Sequence, residues 1–525
     1  MLGPDTPQTR KRAGAPGGLV AAIDVGSHGM RMAIAQARPG KRLAVVEELS
    51  VPIAIGADTF RGGTISATTT ARVGEALARF REVLATYGVE RWRAVATTAV
   101  RDASNREVFI DRVARLSGID LEVIEAIEET RLLYESVAHV VGPRYGLRRG
   151  VCMLLSLGAG STEIIVQRNG QILLSETRQL GTLRSLPGGT SAEGARPALE
   201  ALVGKLSRSL MRTRDLPKVR HLIVLSSALA RVLRPKGRWD AESRTLVVRR
   251  AALARAALVL ERSGAEALAS TSGLSQLDAE AALVALIELR GFLEDTEASV
   301  VAFPEVSTLT GMLLEARERL AGGTSAPLVA HVHSAALALG RKYRFDETHG
   351  RHVEHLALEL YDALTDLCGL GERARLLLSA AALLHDIGNF VSDRAHQRHS
   401  AYLISNSEII GLDAADLEAV AQVARLHRKR VSLGTDLASL PAPRRVEVVK
   451  LAAILRLADA LDRDHRQLID AVRPEVADNS LVLHVRSRHP SRADLVVIEA
   501  AVGQKGDLFH DTFGLAPGLR EELAP

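Results

Sequence analysis

Residue types suited to phosphate chemistry recur in a fixed order along the first third of this chain. Met153 to Leu157 is an apolar strand that runs into Gly158-Ala159-Gly160, then Ser161-Thr162-Glu163, ahead of a second strand, Ile164-Ile165-Val166. A turn of small residues lets backbone N–H groups approach a phosphate that a bulkier loop would hold away. Alone, such a turn is more often an ordinary hairpin. An earlier stretch has the same form: strand Val20–Val25, then Gly26-Ser27-His28-Gly29, then strand Met30 to Ala35. Here Asp24 places a carboxylate where it could hold a metal-bound phosphate, although Asp and Gly also simply favour turns. Arg101 follows the mostly apolar strand Trp92–Ala99 and precedes a helix from about Arg106. There guanidinium and helix dipole can act together on a phosphate oxygen, or the arginine can pair with Asp102 at the surface. Glu128 and Glu129 open a helix running to Val137, where carboxylates complement the dipole. That helix comes immediately before the Gly158 turn, so one of its carboxylates could face the same cleft.

The elements that position these residues alternate between strand and helix, which gives an α/β class with more than one domain. At 525 residues the chain exceeds a single hydrophobic core and suggests three or four domains. A 47% hydrophobic and 25% charged composition is that of a soluble globular protein, and no apolar run reaches the length of a membrane span. The tail to Gly18 lacks an apolar signal region and reads as disordered, so the expected compartment is the cytoplasm. Cys152 and Cys368 lie far apart and read as core residues, against a disulfide framework or a structural zinc site. A formal charge of +5 and an aromatic content of 3% argue against nucleic-acid recognition, since no basic patch carries aromatics for base stacking.

Taken in order, Asp24-Val-Gly26-Ser27, Thr97-Thr98-Ala-Val-Arg101-Asp-Ala-Ser-Asn105, Glu128-Glu129-x-Arg131-Leu-x-Tyr134, Leu157-Gly158-x-Gly160-Ser161-Thr162-Glu163 and Arg178-Gln179-Leu180-Gly181 resemble the exopolyphosphatase / guanosine pentaphosphate phosphohydrolase family. The resemblance implies two actin-like (sugar kinase/Hsp70-type) ATPase-fold domains, over 19–140 and 141–320, closing on a phosphate chain between two glycine-rich turns. It implies Glu129 as catalytic base, Asp24 and Glu163 as acidic residues near Mg2+, and Arg101 as the phosphate-contacting arginine. Gly26, Ser27, Gly158, Gly160, Ser161 and Thr162 would form the phosphate-binding turns. This chain departs from the family pattern at several positions. Ser156 and Ala159 stand where the second turn has Asp and Gly, His28 and Gly29 replace Asn and Ser or Thr, and Ser307-Thr308-Leu309-Thr310-Gly311 lacks the family's arginine. Ser156 cannot supply negative charge to a cation.

From about Ser325 long helical patterns carry many histidines. His352, His385-Asp386-Ile387-Gly388, His396 and His399, His427 and Asp459 could project from several helices to one point, as a divalent metal requires. This ordered set is similar to the HD metal-dependent phosphohydrolases. That resemblance implies an all-α HD-like domain over 325–470 with His352, His385, Asp386 and Asp459 as ligands, and His399 and His427 for a second ion. The tail over 471–525 reads as a small α+β domain, with strands at Ser480–Val485 and Asp494–Glu499.

The implied activity is hydrolysis of terminal phosphate from inorganic polyphosphate or guanosine pentaphosphate, without specific nucleic-acid or membrane partners and with a homodimer as the family expectation. Two other functions fit the same residues. One is a catalytically weakened polyphosphate- or alarmone-binding regulatory protein; the other is a phosphohydrolase working at the HD site.

Overall fold

The computed structural model describes residues 18–521, except 38–42, 142–143, 148, 187–190, 214–215, 321–325, 429–436, 438–439, 478 and 488–491. The tail expected to be disordered lies outside the described residues up to position 17. Three sheets organise the chain. The first has five strands in the order β3-β2-β1-β4-β5, formed by β1 (Leu19–Val25), β2 (Met30–Gln36), β3 (Ala44–Val51), β4 (Arg91–Ala96) and β5 (Glu122–Val123). The second has seven in the order β10-β11-β12-β9-β6-β7-β8. Its strands are β6 (Val151–Leu157), β7 (Thr162–Arg168), β8 (Gln171–Arg178), β9 (His221–Leu225), β10 (Arg238–Asp240), β11 (Thr245–Arg249) and β12 (Val300–Pro304). Each begins as an antiparallel hairpin and continues with parallel strands, the arrangement of the actin-like ATPase fold.

Both hairpin strands are apolar on both faces because both faces are covered. Along β6, Cys152 and Leu154 enter one core and Met153, Leu155 and Leu157 the other. This period of two decides where the polar residues point. Ser156 shares the face of Cys152 and Leu154, and Glu163, its cross-strand partner, shares the face of Ile165.

The helices that position the candidate sites are α1 (Ala126–Val141), α2 (Gln276–Glu294), α3 (Thr308–Arg319), α4 (Ala326–Lys342), α5 (Glu347–Ala363), α6 (Glu372–Leu384), α7 (His396–Ser405), α8 (Ala414–Leu426), α9 (Ala442–Leu461) and α10 (Arg492–Lys505). Helix α3 follows the second sheet in sequence but packs on the first, where Leu309, Met312 and Leu313 meet Val20, Ala22, Val95 and Leu132. It crosses α1 at close range, and Gly311 makes this possible: a Cβ there would lie 2.3 Å from the Leu132 carbonyl oxygen. Helices α4 to α9 form a bundle that shares one continuous core with α1 and one face of the second sheet.

The third sheet pairs β13 (Ile469–Ala477) with β14 (Ser480–Ser487) and, in parallel, β15 (Ala516–Glu521). The strand expected at Asp494–Glu499 is instead part of α10. Ile498, Ala501 and Val502 are its buried positions, a spacing of three and four that fits a helix, while Val496 and Val497 are exposed. Cys152 and Cys368 are buried and free, and among the described residues no helix is long and apolar enough to cross a membrane.

Replacing Gly311 by Ala is expected to destabilise the α1–α3 crossing by about 1–3 kcal/mol. A lower urea midpoint with an intact far-ultraviolet spectrum would report it, and an unchanged midpoint would show that the helices can separate without cost.

Candidate functional site

The two hairpins present the same backbone turn. Gly26 N–H donates to the Gly29 carbonyl and Gly158 N–H to the Ser161 carbonyl, each at 3.0 Å. Two residues before each glycine, Asp24 and Ser156 occupy equivalent places, paired across the hairpin with Arg31 and Glu163. The second turn lies against the first lobe. A Cβ on Gly160 would stand 2.2 Å from the Thr98 methyl carbon and 3.1 Å from the Phe60 ring. Gly181, at φ +53°, backs the turn so closely that a Cβ there would strike the Gly160 backbone. Glycine is therefore required at both positions by contact, and at the second also by conformation.

Around this junction the structure gathers Asp24, Arg101, Glu129 and Glu163. Strand β4 ends at Ala96, Thr97 starts the short helix Thr98–Arg101, and Arg101 then turns back to donate to the Ile124 carbonyl at 2.8 Å and the Thr98 hydroxyl at 3.0 Å. Its guanidinium stands 3.9 Å from Glu129 Oε2. Glu129 is in the first turn of α1, close to Glu163 and Asp24. Burial and the neighbouring Glu163 carboxylate push its pKa up to about 8, although 21% of the side chain still reaches the surface. Its Oε2 is buried without a hydrogen-bond partner, as is Asp24 Oδ1. The other Asp24 oxygen accepts from Arg31 at 2.8 Å.

Ser156 acquires a definite partner here. Burial raises the Glu163 carboxyl above its usual range, and hydroxyls of Ser156 and Ser161 oppose that rise by hydrogen bonding to it. An Asp at 156 would set two carboxylates opposite each other across the hairpin; the serine instead donates to the one that remains. Among the described residues Asp24, Glu129 and Glu163 do not converge closely enough to enclose a cation unaided. The orphaned Asp24 oxygen and the surplus of buried carboxylate fit a cation shared with ligand oxygens.

Sequence reasoning passed over Glu288. It is fully buried on α2, accepts from Thr162 Oγ1 at 2.5 Å and so braces the second turn from behind; burial lifts its pKa to about 7. Its only signal was a lone acidic residue in the apolar run Ala281 to Leu289.

A second cluster lies in the helical bundle. His349 of α5, His385 and Asp386 at the end of α6, His396 of α7, His427 after α8 and Asp459 of α9 come together. The expected ligands His352 and His399 are not in this cluster. His349 and His396, about one turn earlier on the same helices, take their places, because the buried stripes run His349-Val353-Leu356-Leu360 and His396-Ser400-Ile404. His352 and His399 are turned partly to the surface.

The ring tautomers follow from the partners. His385 Nδ1 lies 2.8 Å from the Ala382 carbonyl and His427 Nδ1 2.6 Å from the Ala424 carbonyl. A carbonyl can only accept, so Nδ1 carries the proton and Nε2 presents a lone pair. His349 uses Nδ1 on the Asp462 carboxylate at 2.8 Å. The Nε2 atoms then face one another, His349 to His385 at 3.3 Å and His396 to His427 at 3.2 Å. Burial depresses the pKa of His385 and brings that of His427 to about 3, whereas Asp462 and Asp459 raise that of His349 against burial, and the Arg428 guanidinium lies 3.1 Å from His396 Nδ1. Asp386 Oδ1, buried and without a hydrogen-bond donor of good geometry, lies 3.1 Å from His396 Nε2, 3.5 Å from His427 Nε2 and 3.7 Å from His385 Nε2. Those rings hold its carboxyl well below the usual range against the effect of burial. Asp459 Oδ1 points toward His349 and His385 at 3.8 Å each, while its other oxygen accepts from Lys505 at the end of α10. Imidazole nitrogens from four histidines beside two buried carboxylates are a donor set that suits a divalent cation.

Comparison with known proteins agrees with both halves. Residues 33–187 match the model described as the Ppx/GppA phosphatase family, and residues 333–499 match Ppx/GppA phosphatase, domain III. The chain is 24% identical over 494 residues to the guanosine-5'-triphosphate,3'-diphosphate pyrophosphatase of Photobacterium profundum, covering 89% of this chain and 91% of that protein. It is 25% identical over 473 residues to the protein of the same name from Vibrio vulnificus (strain YJ016), covering 87% and 89%. The fold is similar to the crystal structure of an exopolyphosphatase from Cytophaga hutchinsonii ATCC 33406, with a TM-score of 0.52 and 20% identity over 57% of this chain and 98% of that one. The chain belongs to the Ppx/GppA phosphatase family.

Glu288 gives a pH signature independent of any ligand. With its folded pKa raised to about 7 from an ordinary 4.5, the stability it contributes is fully present below about pH 4.5 and is lost as pH rises through about 7. Glu288→Gln should therefore melt at or slightly below the wild-type temperature at pH 5 and above it at pH 8.5. Parallel melting curves across that range would show that the carboxyl is not being forced to ionise inside the fold.

Proposed function

We propose that this member of the Ppx/GppA phosphatase family hydrolyses phosphoanhydride bonds, releasing terminal phosphate from inorganic polyphosphate or guanosine pentaphosphate. The observation that carries the reading is the placement of Glu129: a carboxylate oxygen without a hydrogen-bond partner, 3.9 Å from Arg101 and near enough to the Glu163 and Asp24 carboxylates to feel their charge. In this reading water attacks the terminal phosphoryl group in line, and Glu129 accepts its proton. Burial and the Glu163 carboxylate raise the basicity of Glu129, and the charge of Arg101 and of a bound cation favours the ionised form that can accept the proton. Arg101 neutralises charge on the phosphoryl oxygens, and the N–H groups of the Gly26 and Gly158 turns hold the chain. Asp24 and Glu163 would hold a divalent cation together with substrate oxygens, Mg2+ being the ion the reading favours; when bound, it offsets the negative charge of the phosphates. Ser156 orients Glu163 by its hydroxyl, so one acidic ligand does the work shared by two in relatives with Asp at that place.

The facing Nε2 pairs favour a second reading, in which the bundle holds one or two divalent ions on His349, His385, Asp386, Asp459, His396 and His427. Such a centre would activate water for phosphate-ester hydrolysis or serve regulation of the cleft.

Phosphate release from polyphosphate, guanosine pentaphosphate and a nucleotide panel distinguishes these functions. Glu129→Gln should lose at least about 1,000-fold in kcat while still binding polyphosphate. Unchanged turnover would remove Glu129 from the mechanism, and a wild-type protein that binds polyphosphate without cleaving it would identify a regulatory protein. For the bundle, metal analysis after Mn2+ loading and desalting should find bound ion in wild type and little in His385→Ala. Activity lost in Asp386→Ala alone would move catalysis to that centre.

A further inference from the structure

Arg184 belongs to none of the motifs read from the sequence, yet it is tied to the second phosphate turn by its backbone. In the segment after β8, Thr182 N–H donates to the Gly158 carbonyl at 2.7 Å, and Leu183 and Arg184 N–H both donate to the Ala159 carbonyl, at 2.9 and 3.1 Å. From that anchor the side chain crosses to the other lobe. Its guanidinium lies over the Phe60 ring, 5.9 Å from the centroid, and pairs with Asp102, the residue after Arg101. Two guanidinium groups, one from each lobe, therefore stand near one another, with Glu129 beside Arg101. Arg101 has Ile124, Thr98 and Glu129 around it. Arg184 has Asp102, while its Nε is buried without a hydrogen-bond partner. Burial and the Arg101 charge both depress the Arg184 pKa, so the two cations are near enough to cost each other energy. An oxyanion between them relieves that cost, and a planar guanidinium with an unused N–H is suited to phosphate.

We propose that Arg184 is a phosphate-binding residue supplied by the second lobe, which grips a phosphate next to the terminal one held by Arg101 and exchanges Asp102 for that ligand. This rests on the phosphoanhydride reading above and narrows it to substrates with consecutive phosphates. Asp102 then acts as the placeholder for a phosphate, keeping the arginine aimed across the cleft while the site is free.

The test measures binding apart from turnover. Tripolyphosphate and orthophosphate are titrated calorimetrically into Glu129→Gln protein, alone and combined with Arg184→Gln, Arg184→Lys or Asp102→Asn. Arg184→Gln should weaken tripolyphosphate about ten-fold or more and leave orthophosphate unchanged, Arg184→Lys should recover part of the loss, and Asp102→Asn should bind tripolyphosphate as well as its parent or better. In the active background Arg184→Gln should raise KM for polyphosphate with kcat within about three-fold. If Asp102→Asn weakens binding as much as Arg184→Gln, the pair is only a latch between lobes and the proposal is overturned. Equal losses for orthophosphate and tripolyphosphate overturn it as well. A Glu129→Gln protein that binds neither ligand, from a wild type that cleaves neither polyphosphate nor pentaphosphate, removes the parent reading and this one together.

Discussion

Everything in the cleft depends on how α1 is held, and α1 is held by a buried arginine. The Arg131 guanidinium, with 4% of its side chain exposed, meets Glu128 at 2.7 Å, Glu135 at 2.8 Å and Glu315 of α3 at 3.0 Å. Arg93 of β4 joins Glu128 and Glu315 and adds Glu122. A buried charge left without partners is expensive, so this network works only when β4, α1 and α3 are all in place. Glu129 is two residues from Arg131 and points the other way. Midway along the same helix, Tyr134 reaches Gln167 of β7 and packs edge-on against His331 of α4. One rigid element thus sets the base of the cleft, joins the lobes and meets the bundle.

What was legible in the sequence, and what was not, depends on the range of the interactions. The hairpin turns could be read because Gly, Ser and Asp at fixed spacing report local backbone geometry. Asp24, Arg101, Glu129 and Glu163 could be singled out together because the motifs that carry them keep a recognisable order. The histidine register was missed because two histidines three apart on a helix differ only in which one lies on the apolar stripe. His349 and His396 do lie on it, with Val353 and Leu356 in one case and Ser400 and Ile404 in the other, so the signal was present but was not weighed. Asp494–Glu499 was misread as a strand because four apolar β-prone residues outweighed the spacing of Leu495, Ile498 and Val502. Glu288 and Arg184 act through partners 126 and 82 residues away, Thr162 and Asp102, and no local pattern announces them.

The two hairpins also explain why the chain tolerates Ser156. Asp24 faces Arg31 across its hairpin, and Ser156 faces Glu163 across the other. In the first a carboxylate is balanced by a cation, in the second a carboxylate is balanced by a hydroxyl. Each turn thereby keeps one acidic group toward the cleft, and the departure from the family pattern lowers the number of buried negative charges without emptying the second turn of acid. The backbone of the turn is untouched, since its closure rests on Gly158 N–H and the Ser161 carbonyl.

The contact of Lys505 with Asp459 has a temporal side. The carboxylate is synthesised 46 residues before the ammonium that satisfies it. Until α10 is in place, Asp459 lies beside His349 and His385 without that ammonium. The order of synthesis therefore sets Asp459 among the histidines first and brings the protein's own ammonium second.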